Sequence, residues 1–351
     1  MTKSLETSAF PVLPLPLPIP YPPMEAKRAT TLPEGEQWQF EPKWDGFRCL
    51  AFRWENDVVL QSKAGQPLGR YFPELLAAFR ALPIQAFALD GEIVIPINGA
   101  LSFDDLLQRI HPAASRINRL SQETPARYLA FDLLYEAGPG VLVEQPLSAR
   151  RMHLEQFFTN VPAPSPIELS PSTRDRAVAT KWFADTRRRG LDGVMAKLAD
   201  ERYHAGDREA MIKVKHLKTA DCVVGGFRYS GSKIGSLLLG LYDESGLLNF
   251  VGHAASFTEA KRKEVAKTIE PLKGGEGFTG KAPGGPSRWS GKRSMEWEPL
   301  RPGLVCEVRY DHFSQNRFRH GTSFLRWRPD KDPKTCTMDQ VLPKLKDFTG
   351  D

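Results

Sequence analysis

Charged side chains interrupt four stretches of the first half of this chain that otherwise read as buried strand. They are Lys43, Asp45 and Arg48 in KWDGFR, Asp90 and Glu92 in LDGEIV, Asp192 and Lys197 in LDGVMAK, and Lys213 and Lys215 in IKVK. A buried charge is costly unless it is paired or holds a ligand. A structural ion pair explains one such strand. Four of them, with carboxylates and cations in balance, describe a groove built for an anion together with a metal ion. Phosphate and magnesium need those groups. Alternation along IKVK puts Lys213 and Lys215 on one face of their strand. Lys43 has candidate partners on both sides, and Gly46 lets the backbone bend sharply beside it.

These residues need elements to hold them. WQFEPKWDGFRCLAFRW and NDVVLQSKAG read as strands with turns between, from the alternation in FRCLAFRW and the β-branched pair in VVL. FPELLAAFRAL has amphipathic helical spacing, with Pro73 at a favoured early position. AFALDGEIVIP reads as a buried strand, FDDLLQRIH as a short helix capped by Ser102, and RYLAFDLLY as an apolar strand carrying Asp132. LSARRMHLEQFF and TRDRAVATKWFADTRRRG read as helices, the second with Arg187, Arg188 and Arg189 at its negative end. LDGVMAKL and AMIKVKHL are further strands.

From about residue 217 the texture changes. ADCVVGGFRYS, SLLLGLYD and LLNFVGHA are short strands separated by Gly and Ser turns, as in a small antiparallel barrel. SFTEAKRKEVAKTIEPL predicts a helix with a capping box from Ser256 to Glu259. GGEGFTGKAPGGPSRWSG reads as a long loop, and LVCEVRY and SFLRWRP return to strand character.

The length of 351 residues suits two domains, each with its own core. The expected division is a proline-rich arm over 1–23, a first domain over 24–217 and a second over 218–351. In MTKSLETSAFPVLPLPLPIPYPP the prolines forbid the helix of a signal peptide, so a polyproline-II arm lying on the surface is expected. No apolar run is long enough to span a bilayer. Cys49, Cys222, Cys306 and Cys336 lie far apart without a CxxC, which argues against a zinc or disulfide framework and fits a reducing cytoplasm. His111, His153, His253 and His320 show no metal spacing. Trp289, Trp297 and Trp327 read as packing residues rather than base-stacking ones. Residues 1–217 carry 26 basic and 26 acidic residues, while 218–351 carry 22 and 16, so the whole net charge of +6 lies in the second part. That asymmetry suggests a polyanionic partner gripped by the second domain.

KWDGFR matches the KxDGxR signature of the covalent nucleotidyltransferases, which include DNA ligases, RNA ligases and mRNA capping enzymes. The family's other motifs follow in order: SKAG at 62–65, LDGE at 89–92, FDLLY at 131–135, LDGVMAK at 191–197, IKVK at 212–215 and RWRPDK at 326–331. The resemblance runs from Phe40 almost to the end. In spacing and wording (RYFPELL, QRIHPAASR, SFLRWRPD) the chain most resembles the small bacterial C-type ATP-dependent DNA ligases.

The resemblance implies a role for each residue. Lys43 would be the nucleophile that attacks the α-phosphorus of ATP to form a lysyl-AMP. Its amine must be neutral to attack, and Lys213, Lys215 and Mg²⁺ are expected to favour that form, with Asp45 opposing it. Glu41 would read the adenine amino group, Phe131 stack on the base, and Arg48 hold ribose or phosphate. Glu92 would bind ribose or metal, with Asp192 and Asp45 as further metal residues. Lys63, Lys197, Arg208, Lys213 and Lys215 would line the nucleotide site. Arg326, Arg328 and Lys331, with Asp330, would close over the leaving pyrophosphate. Three positions depart from the family pattern: Asp192 stands in place of Glu, Lys63 in place of Arg, and Met211 in place of Trp. Lysine at 63 lacks the bidentate fork of arginine.

The implied fold class is α+β: an adenylation domain of antiparallel sheets with flanking helices, followed by an OB-fold barrel. The implied function is sealing nicks or short gaps in duplex DNA during repair by a monomeric, cytoplasmic, nucleoid-associated bacterial enzyme. ATP would be used with Mg²⁺, which Mn²⁺ can replace. Only 42 residues precede Lys43, so no separate N-terminal DNA-binding domain is expected. The missing four-cysteine cluster disfavours an NAD-dependent ligase, and RWRPDK disfavours an RNA ligase. A GTP-using capping-type enzyme and a catalytically silent OB-type nucleic-acid binder remain as alternatives.

Overall fold

The computed structural model describes residues 10–185, 191–215, 218–255, 257–284, 296–311, 313–314, 316–319 and 322–342. The chain forms two compact units, Met1–His216 and Leu217–Asp351.

The first unit holds two sheets. One has the order β1 (Lys27–Ala29), β12 (Met211–Val214), β11 (Leu191–Leu198), β2 (Trp38–Trp44). β2 and β11 run antiparallel, with Lys43 opposite Gly193 and Glu41 opposite Met195. A register shift between Leu191 and Gly193 takes Asp192 out of the ladder, the usual means by which a strand re-aims one side chain. Gly193 has φ +151°, and a Cβ there would stand 2.0 Å from the Val214 carbonyl oxygen, so the shift needs glycine.

The other sheet has the order β10 (Ile167–Leu169), β8 (Arg127–Glu136), β5 (Ala86–Val94), β3 (Phe47–Trp54), β4 (Asp57–Ser62), with β9 (Gly140–Val141) added to β8. Both sheets are antiparallel except at the edges, where β1 joins β12 and β10 joins β8 in parallel. A two-residue ribbon, β6 (Pro96–Ile97) with β7 (Ala100–Leu101), follows β5.

α1 (Pro73–Ala81) starts on its proline, and α2 (Phe103–Gln108) is capped by Ser102, which accepts from the Asp105 N–H. α3 (Ala114–Glu123) lies in a stretch where sequence reading placed no helix. α4 (Leu147–Thr159) supplies Leu154 and Phe157 to a core with Leu75, Phe79, Phe87 and Tyr128, where the Phe79–Tyr128 and Phe87–Phe157 rings meet edge to face. α5 (Arg176–Ala184) lies within the stretch read as a helix, and Arg187, Arg188 and Arg189 lie outside the described residues.

From residue 10 onward the proline-rich arm packs along the first unit. Leu13, Leu17 and Met24 are buried in one cluster with Leu50, Phe52, Val59 and Tyr203, and Tyr21 and Gln61 exchange two hydrogen bonds. Burying each leucine contributes about 1.5–3 kcal/mol.

The second unit is a closed five-stranded barrel. β13 (Lys218–Ser230) pairs with both β14 (Lys233–Tyr242) and β17 (Val305–Tyr310), and β15 (Leu248–Ala255) and β20 (Thr322–Trp327) close the circuit. β15 and β20 are parallel and the other pairs antiparallel. A helix, α6 (Glu259–Ile269), lies between the third and fourth barrel strands and fills the core with Val265 and Ile269. This is the OB-fold architecture. β16 (Glu298–Pro299) extends β13, and β18 (Phe313–Ser314) pairs with β19 (Arg317–Phe318). The cap of α6 is Thr258, whose hydroxyl accepts from the Lys261 N–H, so the helix starts later than the capping box placed it; Ser256 lies outside the described residues. So do Trp289, His320 and residues 285–291 of the Gly/Pro-rich stretch. Trp297 and Trp327 pack against the barrel core. Among the described residues, no helix is long and apolar enough to cross a membrane.

Candidate active site

Lys43 leaves β2 toward the displaced Asp192. Its Nζ lies 2.6 Å from Asp192 Oδ2, and Lys215 Nζ lies 2.6 Å from the same oxygen. One carboxylate therefore bridges two ammonium groups. Burial lowers the Lys43 amine, but Asp192, Glu92 and Asp45 together raise it above its ordinary value. Opposition to the free amine thus comes from Asp192 and Glu92 as well as from Asp45, the one carboxylate the sequence pointed to. Burial also pushes Asp192 up, and Lys43 and Lys215 pull it below its ordinary value. Lys213 has no ion-pair partner among the described residues. Its amine is lowered by burial and by the nearby charges of Lys215, Lys43, Lys63 and Arg208.

A second group surrounds Phe131 on β8. The ring is buried, with Lys197 Nζ 4.6 Å and the Arg48 guanidinium 5.0 Å from its centroid. Lys197 pairs with Glu41 at 2.7 Å, both are buried, and Gln39 Nε2 donates to the other Glu41 oxygen at 2.9 Å. Arg48 binds Asp90 through two bonds, Nε to Oδ1 at 2.8 Å and Nη2 to Oδ2 at 2.6 Å. Asp90 is fully buried and holds the Arg48 charge firmly against the opposing effect of burial. The Tyr203 hydroxyl donates to Asp90 Oδ2 at 2.6 Å and accepts from the Met24 N–H at 2.9 Å. A narrow cleft lies among Met24, Arg48, Phe131, Lys197, Tyr203 and Met211.

Glycines set the spacing. A Cβ on Gly91 would stand 2.5 Å from the Tyr128 ring, and one on Gly46 would stand 2.2 Å from the Ile93 carbonyl oxygen. The β3–β5 pairing that places Arg48 opposite Glu92 therefore needs both.

Lys63 and Arg208 meet on Glu25. Glu25 Oε2 lies 3.3 Å from Lys63 Nζ, 2.7 Å from Arg208 Nη2 and 2.9 Å from Arg208 Nε. Sequence reading passed over Glu25, because the contact with Arg208 spans 183 positions and no local pattern marks it. Asp90 was legible as a charge in a buried strand, whereas its partner Tyr203 carried no signal of that role.

Glu92 is pushed up to about 7 by burial, against the pull of Lys43 and Arg48. Among the described residues, no group of three or more His, Cys, Asp or Glu side chains is placed to hold a metal alone. Mg²⁺ commonly takes one or two carboxylates plus the phosphates of a nucleotide. Glu92 and Asp45, whose charge lies close enough to raise the Glu92 carboxyl, suit that mode.

Arg326, Arg328 and Lys331 form a group of their own on the barrel. Arg326 Nε donates to Glu307 at 2.7 Å. Arg328 Nη1 donates to both oxygens of Asp221 at 3.0 and 3.1 Å, and its Nε and Nη2 are taken by Asp330. Lys331 Nζ reaches Asp221 at 2.9 Å. Asp221 lies opposite Glu307, and Glu307 opposite Arg326, in one row across β13, β17 and β20. Sequence reading singled out the cations and neither of these two carboxylates.

Comparison with known proteins extends the likeness to both units. A family model for the ATP dependent DNA ligase domain matches residues 23–215, and one for the ATP dependent DNA ligase C terminal region matches residues 230–331. DNA ligase C1 of Mycolicibacterium smegmatis is 46% identical over 331 residues, covering 91% of this chain and 93% of the relative. DNA ligase C of Mycobacterium tuberculosis is 43% identical over 336 residues, with the same coverage. The multifunctional non-homologous end joining protein LigD of Mycobacterium bovis is 31% identical over 308 residues, which cover 86% of this chain and 37% of that protein.

Proposed function

The chain belongs to the ATP-dependent DNA ligases, and from that membership we propose that Lys43 is the residue that takes AMP from ATP and passes it to DNA. The observation that carries this reading is the bridging of Lys43 and Lys215 by Asp192 beside Lys213, which has no ion-pair partner among the described residues. That arrangement gives a triphosphate cations to exchange for the carboxylate, and it gives Lys43 an orientation. Lys43 first gives its ammonium proton to solvent; the free amine then forms a bond to the α-phosphorus, the bond to pyrophosphate breaks, and the second proton is lost from the nitrogen as the phosphoramidate forms. AMP then moves to the 5′-phosphate of a nick, and the 3′-hydroxyl displaces it as the phosphodiester forms.

The other residues hold the nucleotide. Phe131 offers its face to the base, with Glu41 and Lys197 at its edge, and Arg48 reaches ribose or phosphate from its seat on Asp90. Lys63, Arg208, Lys213 and Lys215 contact phosphate. Mg²⁺ (or Mn²⁺ in its place), held by Glu92, Asp45 and Asp192 together with the nucleotide, would neutralise phosphate charge. Arg326, Arg328 and Lys331 support the departing pyrophosphate. The substrate is nicked or gapped duplex DNA, gripped through its phosphates by the basic second unit, and the protein acts as a monomer in the cytoplasm at the nucleoid. The likeness to a protein named for non-homologous end joining supports a place in repair.

ATP carrying a labelled α-phosphate should label the protein, whereas labelled GTP and NAD should not. Labelling by GTP would move the assignment to a capping-type reaction, and a labelled Lys43→Ala protein would end the nucleophile assignment.

A further inference from the structure

The cations around Lys43 are held in pairs by two carboxylates, and only one of these lies in a motif. Asp192 holds Lys43 and Lys215, while Glu25 holds Lys63 and Arg208. Lys63, Arg208, Lys43 and Lys215 all lower the Lys213 amine, so the five cations share one region. Side chains carrying like charge repel, and long ones spread into solvent unless something fixes them. Both cations meet Glu25 on one oxygen, with Arg208 engaged through two nitrogens, so a single group sets the separation of the two.

Glu25 is itself anchored. It follows Met24, whose N–H donates to Tyr203, the residue that also binds Asp90. The Glu25 N–H donates to the Asp207 carbonyl oxygen at 2.7 Å, which ties it to the residue before Arg208. Two residues later β1 begins, and Arg28 lies opposite Lys213 in its parallel pairing with β12. On the other side, Tyr21 and Gln61 exchange hydrogen bonds two residues before Lys63. The segment 21–29 thus touches the chain on both sides of the cation cluster.

We propose that Glu25 is a positioning residue of the nucleotide site, which spaces Lys63 and Arg208 for the phosphates of ATP. This rests on the reading of the site given above. Glu25 acts through the two cations and does not itself meet the nucleotide, which its charge would repel. Removing the carboxylate leaves the positive charge that attracts ATP but releases the geometry. Turnover should therefore suffer while affinity does not.

The test measures self-adenylation of the full chain from labelled ATP in Glu25→Gln, Glu25→Ala, the Lys63→Ala/Arg208→Ala pair, and the pair combined with Glu25→Ala. Glu25→Gln should lower the single-turnover rate about tenfold, the effect of one lost charge-assisted contact, with an ATP KM no higher than wild type. In the background lacking both cations, Glu25→Ala should cost nothing more. Losses that multiply in the combined variant would overturn the proposal, as would a KM rise that parallels the rate loss or a Glu25→Gln protein as fast as wild type. Failure of the wild-type chain to label would count against the ligase chemistry itself, a result distinct from any of these.

Discussion

Asp192 Oδ2 lies 2.6 Å from Lys43 Nζ, and this contact, more than any other, sets the charge state of the proposed nucleophile. Lys43 stands above its ordinary value despite burial, because Asp192, Glu92 and Asp45 hold the ammonium form. Only the free amine attacks, so the rate of self-adenylation should climb with pH through the alkaline range. Asp192→Asn removes a large part of what raises the amine and should move that limb toward lower pH. A limb that stays in place would mean that Asp192 does not control the amine.

The buried pair Lys197–Glu41 should matter to stability as much as to the nucleotide. Breaking a buried pair by removing one partner costs about 3–5 kcal/mol, since the other charge is left without compensation. Lys197→Met alone should lose that amount in denaturant unfolding of the first unit. Lys197→Met combined with Glu41→Leu should lose less than the single change. Equal losses would show that the two do not act as a pair.

Glu92 gives a prediction of opposite sign to a salt-bridged carboxylate. Its carboxyl is pushed up to about 7 in the folded chain, against ~4.3 for a free glutamate. Between those values the folded state holds a proton that the unfolded state has lost, so stability falls as pH rises through that window. Glu92→Gln should therefore stabilise the chain at pH ~8 by an amount of order 3 kcal/mol, at ~1.4 kcal/mol per pKa unit, and by much less near pH ~5. Unfolding curves in EDTA at the two pH values decide it. An equal gain at both would assign the effect to packing.

Lys331→Ala separates the steps of the reaction. If Lys331 supports departing pyrophosphate, self-adenylation should slow by about ten- to a hundredfold, as for the loss of one positioned cation at a developing charge. Sealing of a nick that already bears 5′-AMP releases no pyrophosphate and should be nearly unchanged. Equal losses on the two substrates would assign Lys331 to DNA binding or to barrel folding.

The motif residues were legible because their signal is local. Lys43, Arg48, Glu92 and Lys213 each break an apolar strand, and a charge in such a strand is visible in a window of a few residues. What fixes the side chains of each unit was not legible, because the partners are remote. Glu25 meets Arg208 across 183 positions, Tyr203 meets Asp90 across 113, and Arg328 meets Asp221 across 107. The packing of the arm was hidden for a different reason. Proline at nearly every second position removes both the helical and the strand period, so nothing in PVLPLPLPIP announces that Leu13 and Leu17 pack against Leu50 and Phe52. The capping error at α6 is of a third kind: Ser256 and Thr258 both precede the same apolar spacing, and only backbone geometry chooses between them. The charge state of Lys43 depends on its distance to Asp192, and sequence carries no distances.

Arg328 has its Nε, Nη1 and Nη2 all committed, two to Asp330 and one to Asp221. A guanidinium is planar, so contacts on its three nitrogens from two sides remove its freedom to turn or to swing on its stem. Lysine at this place would keep three rotatable donors and could search for its target. Arg328 cannot search. Its direction is that of β13 and of the turn after β20.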